Sequence, residues 1–338
     1  MAIINNSRFI ILNSKKIAQP LSSVLGIAVE ILYSSHRRME RLQRKARPKG
    51  EHPNKSTYNT TGSIVLKPVD LRKLCNLQQI RNFMQITDTH THLYSERFDE
   101  DREEMMERAL KAGVQRFFIP AIDSTYADAM YQIEKDYPEN VFLMMGLHPT
   151  HVKENYEEEL AFVESEFSRR KFYAVGEIGI DLYWDKSTLA IQQDAFRRQI
   201  QLAKKLKLPI NIHCRDAFDE IFEILEEEKS ADLRGIFHCF TGTYEQALQA
   251  ISYNMKLGIG GVVTFKNGKL DQFINKIDLE HIVLETDSPY LAPAPFRGKR
   301  NESSYVVTVV EKLSELYNID PLEIARITTE NSRNVFGI

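Results

Sequence analysis

"ITDTHTHL", residues 86–93, closes a short apolar run with two histidines two positions apart. In a strand, residues i and i+2 point to the same face, so His90 and His92 would converge on one point. Two neutral imidazoles converging in that way suit a metal ion. An ordinary polar pair in a threonine-rich loop explains the same letters equally well. What stands at the ends of the other apolar runs has to decide.

Those runs recur from Met84 onward: "MQITDTH", "RFFIPA", "VFLMMGLH", "FYAVGEIG", "PINIHC", "GIFHCF", "MKLGIG" and "HIVLETD". Each reads as buried on both faces, as parallel strands covered by helices do. Amphipathic stretches separate them. Residues 99–112 open with acids and stop at Gly113, and residues 124–137 begin at the N-cap candidate Ser124 and end before Pro138. Residues 156–170 run from acidic to basic, as the helix dipole favours. Residues 188–206 gather Ile191, Phe196, Ile200, Ala203 and Leu206 roughly on one face. Further helices fit 216–229, 243–253, 270–276, 303–317 and 321–335. Eight strands alternating with helices over about 250 residues predict an α/β fold, a TIM-like (β/α)8 barrel. An open doubly wound sheet competes with it, but no Gly-x-Gly-x-x-Gly follows the first run.

In such a barrel the reactive side chains come from the C-terminal ends of the strands. Those ends carry His90 and His92, His148, Glu177, His213, His238 and Asp287, and so hold five of the nine histidines. A single buried histidine is most often a hydrogen-bonded core residue. A whole set at one rim is hard to explain as core. Four imidazoles and two carboxylates can hold two divalent cations with one carboxylate bridging, an arrangement that polarises a substrate oxygen and activates water. Zn²⁺, Mn²⁺, Fe²⁺ and Co²⁺ suit mixed nitrogen and oxygen ligands, and Mg²⁺ prefers oxygen. Cys214 and Cys239 each follow a rim histidine, point to the opposite face and read as packing residues.

Composition bounds the rest. The chain has 338 residues, 43% hydrophobic and 27% charged, with three cysteines. That is globular territory without a disulfide framework, and a cytoplasmic setting is the simplest reading. The net charge of −3 hides two unlike parts. Residues 1–83 hold 15 Lys+Arg against 4 Asp+Glu, a net +11, which leaves −14 on residues 84–338. The apolar patch "IAQPLSSVLGIAVEILY" is interrupted by Pro20, Ser22, Ser23 and Glu30 and makes a poor membrane span. The basic run after it reads as solvated and poorly ordered. Residues 1–83 read first as an extension or a mis-assigned start, with Met84 a natural one. Organellar targeting or anchoring ranks second and a nucleic-acid arm third. Residues 84–338 form the barrel, and no membrane partner is expected for it.

Taken together, "DTHTHL", "GLHPTH", "GEIGIDLYWD", "QxxAFRRQIQLAKKLKLPINIHCRDA", "GIFHCFTG" and "LETDSPYLAPAPFRGKRNE" closely resemble the TatD-like family of metal-dependent deoxyribonucleases, from about Met84 to Ile338. The family belongs to the wider amidohydrolase-type barrels. The resemblance implies that His90, His92 and Asp287 hold one metal, His213 and His238 the other, and that Glu177 bridges. It implies two divalent ions (Mg²⁺, Mn²⁺ or Zn²⁺), with Glu177 and Asp287 catalytic and Asp287 orienting the attacking water and taking its proton. It implies hydrolysis of phosphodiesters in DNA, often from 3′ ends. Some family members are proposed to deacylate mischarged tRNA, so hydrolysis of an ester such as D-aminoacyl-tRNA is the alternative.

His148 resembles the histidine of the family's Gly-x-His-Pro motif, a candidate phosphate contact or acid. Arg215, Arg297 and Asn301 are further substrate-contact candidates. Against that, Arg215 could pair with Asp216 or Glu220, and "PFRGKRNE" could be a solvated basic turn. The family often has proline soon after Asn301, whereas Ser303 and Ser304 follow here. Tyr183 and Trp184 could stack on a terminal base or pack the loop after the fourth strand. The acidic barrel is poorly suited to gripping long duplexes, which favours single strands and DNA ends.

Overall fold

A computed structural model of the chain describes residues 84–338. The expectations for residues 1–83 lie outside the described residues. Eight parallel strands form one sheet in sequence order: β1 (Ile86–Asp88), β2 (Val114–Pro120), β3 (Val141–Met145), β4 (Ala174–Asp181), β5 (Ile210–Arg215), β6 (Gly235–Phe237), β7 (Met255–Ile259) and β8 (Ile282–Leu284). Among the described residues, eight α-helices surround it: α1 (Arg102–Lys111), α2 (Ala127–Asp136), α3 (Tyr156–Arg169), α4 (Leu189–Leu206), α5 (Phe218–Glu227), α6 (Tyr244–Ser252), α7 (Val306–Tyr317) and α8 (Pro321–Phe336).

The ends of the sheet meet. Thr89 N donates to Leu284 O at 2.9 Å, His92 N to Ser288 O at 2.8 Å and Asp287 N to His90 O at 2.9 Å. Side chains reinforce this seam. The Asp88 carboxylate accepts from Thr286 N at 2.9 Å and from Thr286 Oγ1 at 2.6 Å. The fold is therefore the TIM barrel, and the doubly wound alternative is set aside.

Local sequence accounts for the helix boundaries. Thr243 and Gln246 form a reciprocal capping box at the start of α6. Asp320 caps α8 with Pro321 in its first turn, and Gly337 ends it at φ 71°. One expected helix is corrected: residues 270–276 make two short 3₁₀ turns, Leu270–Gln272 and Ile274–Lys276. Lys269 adopts the left-handed conformation and Phe273 sits at φ −141°, so no continuous helix can run through the segment.

Two apolar layers hold the barrel. The larger packs the helices on the outer face of the sheet. The smaller fills the barrel interior with Phe118, Met144, Ala174, Ile236 and Val283, against Val335 and Phe336 at the end of α8. Phe118 stacks on Phe336 with ring centroids 3.6 Å apart. Complete burial of one such ring is worth about 1.5–3 kcal/mol. Asn331 of the same helix donates to Leu279 O and Ile282 O at 2.7 and 2.8 Å, which docks α8 under β8. No helix among the described residues is long and apolar enough to cross a membrane.

Candidate metal centre

The interior positions continue upward from this apolar plug and turn polar at the C-terminal rim. Val283 is followed two residues on by Glu285 and then by Asp287, and Ile236 by His238, in keeping with the two-residue repeat of a strand. On β4 the repeat breaks. Val175 pairs with Ile210 but Ile178 with Ile212, so β4 carries one extra residue there. Such a bulge shifts which residues face inward. Ala174 faces the apolar plug, and after the shift Glu177 reaches the histidines.

Glu177 is the hub. Its Oε1 lies 2.7 Å from His238 Nε2, 2.8 Å from His213 Nδ1 and 3.2 Å from His148 Nε2. Its Oε2 lies 3.2 Å from His90 Nε2 and 3.8 Å from His92 Nε2. Asp287 Oδ1 completes that side, 3.4 Å from His92 and 3.8 Å from His90. His90, Glu177, His238 and His92 are all buried. Among the described residues, three sets have ligand atoms within 4.8 Å of one another: His90–His92–Asp287, His90–Glu177–His238 and His148–Glu177–His213. All six residues expected as metal ligands are brought together.

The outward nitrogens show which way the inner ones face. His90 Nδ1 lies 2.8 Å from Asn211 Oδ1, and His213 Nε2 lies 2.9 Å from Asp181 Oδ2. His92 Nδ1 lies 2.8 Å from Tyr94 Oη, whose own proton goes to Pro120 O. Each partner accepts, so each outward nitrogen carries the hydrogen, and a neutral ring then turns a lone pair inward. Lone pairs facing a carboxylate repel unless a cation lies between them. Glu177 Oε2 is buried without a hydrogen-bond donor among the described residues. The donor set fits divalent cations on these grounds.

His148 differs. Its Nδ1 accepts from Thr150 N at 3.1 Å, so the neutral ring carries its hydrogen on Nε2, toward Glu177. Distance alone groups it with the ligands, but the bonding pattern makes it a donor, and the bonding pattern is the stronger criterion because a ligand needs a free lone pair.

Protonation reflects the same crowding. Burial opposes charge on His90, yet the Glu177 carboxylate outweighs it and pushes the pKa up to about 10. Burial and then the neighbouring His90 charge hold His238 at about 4. Burial likewise works against a charge on His213, but Asp181 and Glu177 raise it to about 9. Glu177 itself is held well below the carboxylate range. Burial would raise it, and the facing charges of His238, His148 and His90 prevail.

Four residues around the cluster were missed in the sequence: Tyr94, Asp181, Asn211 and Glu285. Three stand two positions from a candidate ligand in sequence, Tyr94 from His92, Asn211 from His213 and Glu285 from Asp287, and that spacing was the available signal. Glu285 is fully buried, accepts from Cys239 N at 2.6 Å and stands 3.9 Å from His238 Nδ1. A Cβ at Gly258 would lie 2.2 Å from Glu285 Oε2, so only glycine leaves room for this carboxyl.

The substrate-contact candidates divide. Arg215 lies over the Tyr183 ring at 3.7 Å and Arg297 over Phe265 at 3.5 Å. Asn301 is corrected: it is fully buried, and its amide donates to Thr286 O and Tyr290 O at 2.7 and 2.6 Å. Both of its donors are spent on shaping the loop after β8. Cys214 and Cys239 have their thiols pushed up by burial, in line with packing rather than nucleophilic roles.

A barrel with clustered histidines and carboxylates at its C-terminal rim defines a metal-dependent hydrolase. Residues 87–337 match the family described as TatD related DNase, and the chain belongs to that family. It is 44% identical over 254 residues, 74% of this chain and 98% of the relative, to the uncharacterized metal-dependent hydrolase YabD of Bacillus subtilis. It is 33% identical over 264 residues, 75% of this chain and 97% of the relative, to the metal-dependent hydrolase YcfH of Escherichia coli. The crystal structure of YJJV, a TatD homologue from Escherichia coli, superposes with a TM-score of 0.71 at 30% identity, covering 75% of this chain and 98% of that one.

Proposed function

We propose that the chain is a phosphodiesterase that removes nucleotides from the 3′ ends of DNA, acting on single strands in preference to duplex, with two divalent cations at the Glu177 cluster. The observation that carries this reading is that the two oxygens of Glu177 address different ligand sets, His213 and His238 on one side, His90 and His92 on the other. His90, His92 and Asp287 would hold one cation, His213 and His238 the second, and Glu177 both.

When bound, the cations supply Lewis acidity and lower the pKa of water. The protein's own groups do the rest. Asp287 takes the proton of the attacking water on a carboxylate oxygen. Burial works against its charge, but the facing imidazoles, His92 first and then His238 and His90, hold its pKa below the usual carboxylate value. His148 offers its Nε2 hydrogen to a phosphate oxygen or to the departing 3′ oxygen. Arg215 and Arg297 stand at the rim for neighbouring phosphates.

The test is hydrolysis of labelled single-stranded and duplex DNA with Mg²⁺, Mn²⁺ or Zn²⁺, beside a chelator control. Metal-dependent release of mononucleotides from the 3′ end is expected, faster from single strands. Intact DNA with every metal, together with turnover of D-aminoacyl-tRNA, would replace this reading with ester hydrolysis.

A further inference from the structure

The barrel interior has a second mouth, at the end where the strands begin, opposite the metal centre. Arg116 stands there on β2, two residues before Phe118, and so shares the inward face of that strand. Thr87 of β1 is its register partner and points the same way. Thr87 is 2% exposed, and its Oγ1 is buried with no hydrogen-bond partner among the described residues. Arg116 Nη1 is buried without one as well. Adjacent strands therefore bring together a hydroxyl and a guanidinium N–H that both need an acceptor, and leaving such groups unmet is costly.

Arg333 flanks the same place from α8. Phe118 stacks on Phe336 at 3.6 Å, and Arg333 lies one helical turn before Phe336, on the same face. The ring stack thus has a guanidinium on each side. Burial first, and then the charge of Arg333, lower the pKa of Arg116. Glu330 Oε2 stands 3.7 Å from Arg333 Nη1, longer than a hydrogen bond, with both side chains exposed.

Other cations at this mouth are spent on carbonyls. Arg234 donates to Val335 O and to Lys207 O, each at 3.2 Å. Lys256, the register partner of the inward-facing Ile236, donates to Glu280 O at 2.7 Å. They add positive charge around Arg116 and bring it no carboxylate.

The geometry points to an oxyanion site at this mouth, in which Arg116 and Arg333 clamp one phosphate group and the Thr87 hydroxyl donates to one of its oxygens. A guanidinium is a planar fork that meets two phosphate oxygens at once. A dianion between two arginines replaces their repulsion by attraction, and chloride has no pair of oxygens for a fork. Bound phosphate ties α8 to β1 and β2 across the Phe118–Phe336 stack. The site is independent of the reaction at the metal centre. Arg333 is 38% exposed, so the clamp opens to solvent on that side, and free phosphate and a phosphate monoester share the chemistry it reads.

Metal-loaded, full-length protein is titrated calorimetrically with inorganic phosphate and with glycerol 3-phosphate, with chloride as the control anion at equal ionic strength. Melting temperatures are read in parallel. Phosphate also suits a metal centre, so the quantity that counts is the difference between the unaltered protein and Arg116→Gln. That variant should bind phosphate at least tenfold more weakly and lose the rise in melting temperature, while its hydrolytic rate stays unchanged. Thr87→Val keeps the shape of the side chain and should weaken binding roughly 10- to 150-fold, the equivalent of one hydrogen bond to a charged group. Arg333→Gln, altered on the exposed side, should act in the same direction. Binding of glycerol 3-phosphate assigns the site to esters and its exclusion assigns it to the free ion, and either supports the clamp.

Unchanged phosphate affinity in folded Arg116→Gln would overturn the site. Should that variant not fold, unchanged affinity in both Thr87→Val and Arg333→Gln would do the same. So would an equal rise in melting temperature with chloride, because general screening of like charges would then account for it.

Discussion

Asp181 holds His213 from behind, with Oδ2 of the carboxylate 2.9 Å from Nε2 of the ring. The bond fixes the tautomer that turns Nδ1 toward Glu177, and it fixes the ring plane as well. Asp181→Ala should therefore weaken metal binding roughly 10- to 100-fold, read by calorimetric titration, while the fold survives. Unchanged affinity in a folded variant would show that the bond is ornamental. Asn211→Ala, which frees His90 Nδ1, should act in the same direction.

Asp287→Asn keeps the shape of the side chain but removes its capacity to accept a proton. Turnover on DNA should fall on the order of 10²- to 10⁴-fold. Glu177→Ala should abolish it, since both ligand sets lose their shared carboxylate. Near-normal turnover in either purified variant would remove these residues from the mechanism.

Metal binding should stiffen the whole barrel. His90 and His92 follow β1 and Asp287 follows β8, so one candidate ligand set straddles the seam. Metal at 100 times its dissociation constant adds about 2.7 kcal/mol of stability. For a domain of this size that corresponds to a rise of about 5–10 °C in Tm. Calorimetry with and without chelator measures it, and coincident transitions would contradict the expectation.

Acid should loosen the loop after β8 by a separate route. The Asp101 carboxyl is held far below its ordinary value, chiefly by hydrogen bonds from Arg300 and Arg108. A depressed folded-state pKa contributes stability above the unfolded value, near 4, and loses it as pH falls through the folded value. The groups are partly exposed, so solvent screening limits the contribution to no more than about 1 kcal/mol. Asp101→Asn should make the melting temperature less sensitive to pH below about 4 and leave it unchanged in slope near neutrality. Parallel melts of the two proteins across that range test it.

Phe118→Ala should cost about 3–5 kcal/mol through the cavity left against Phe336, without altering metal affinity per folded molecule. Melting and metal titration of one preparation separate the two effects.

The barrel and its six candidate ligands were legible because two simple periods coincide in them. Apolar runs marked the strands, and each polar residue that ended a run marked the rim. Glu177 was legible as the polar end of the fourth run, but not its direction, since the bulge at Val175–Ile178 breaks the two-residue repeat that would otherwise forecast it. Asn211 and Glu285 were hidden for a different reason. Each lies beside one ligand in sequence but serves another across the barrel, His90 and His238, and such pairings need the closed fold. Asn301 misled because a polar residue in a basic loop reads as exposed, whereas here it satisfies two carbonyls inside the turn.

The seam between β1 and β8 also governs when this protein can exist as a working object. Asp88 must wait for Thr286, its partner 198 positions later. At ribosomal speeds of about 5–20 residues per second, that wait lasts roughly 10–40 s. Throughout it the nascent sheet has an open first edge and apolar strands without their final cover. The centre cannot assemble before Thr286 and Asp287 are made, so synthesis passes through an open, silent intermediate before a closed barrel.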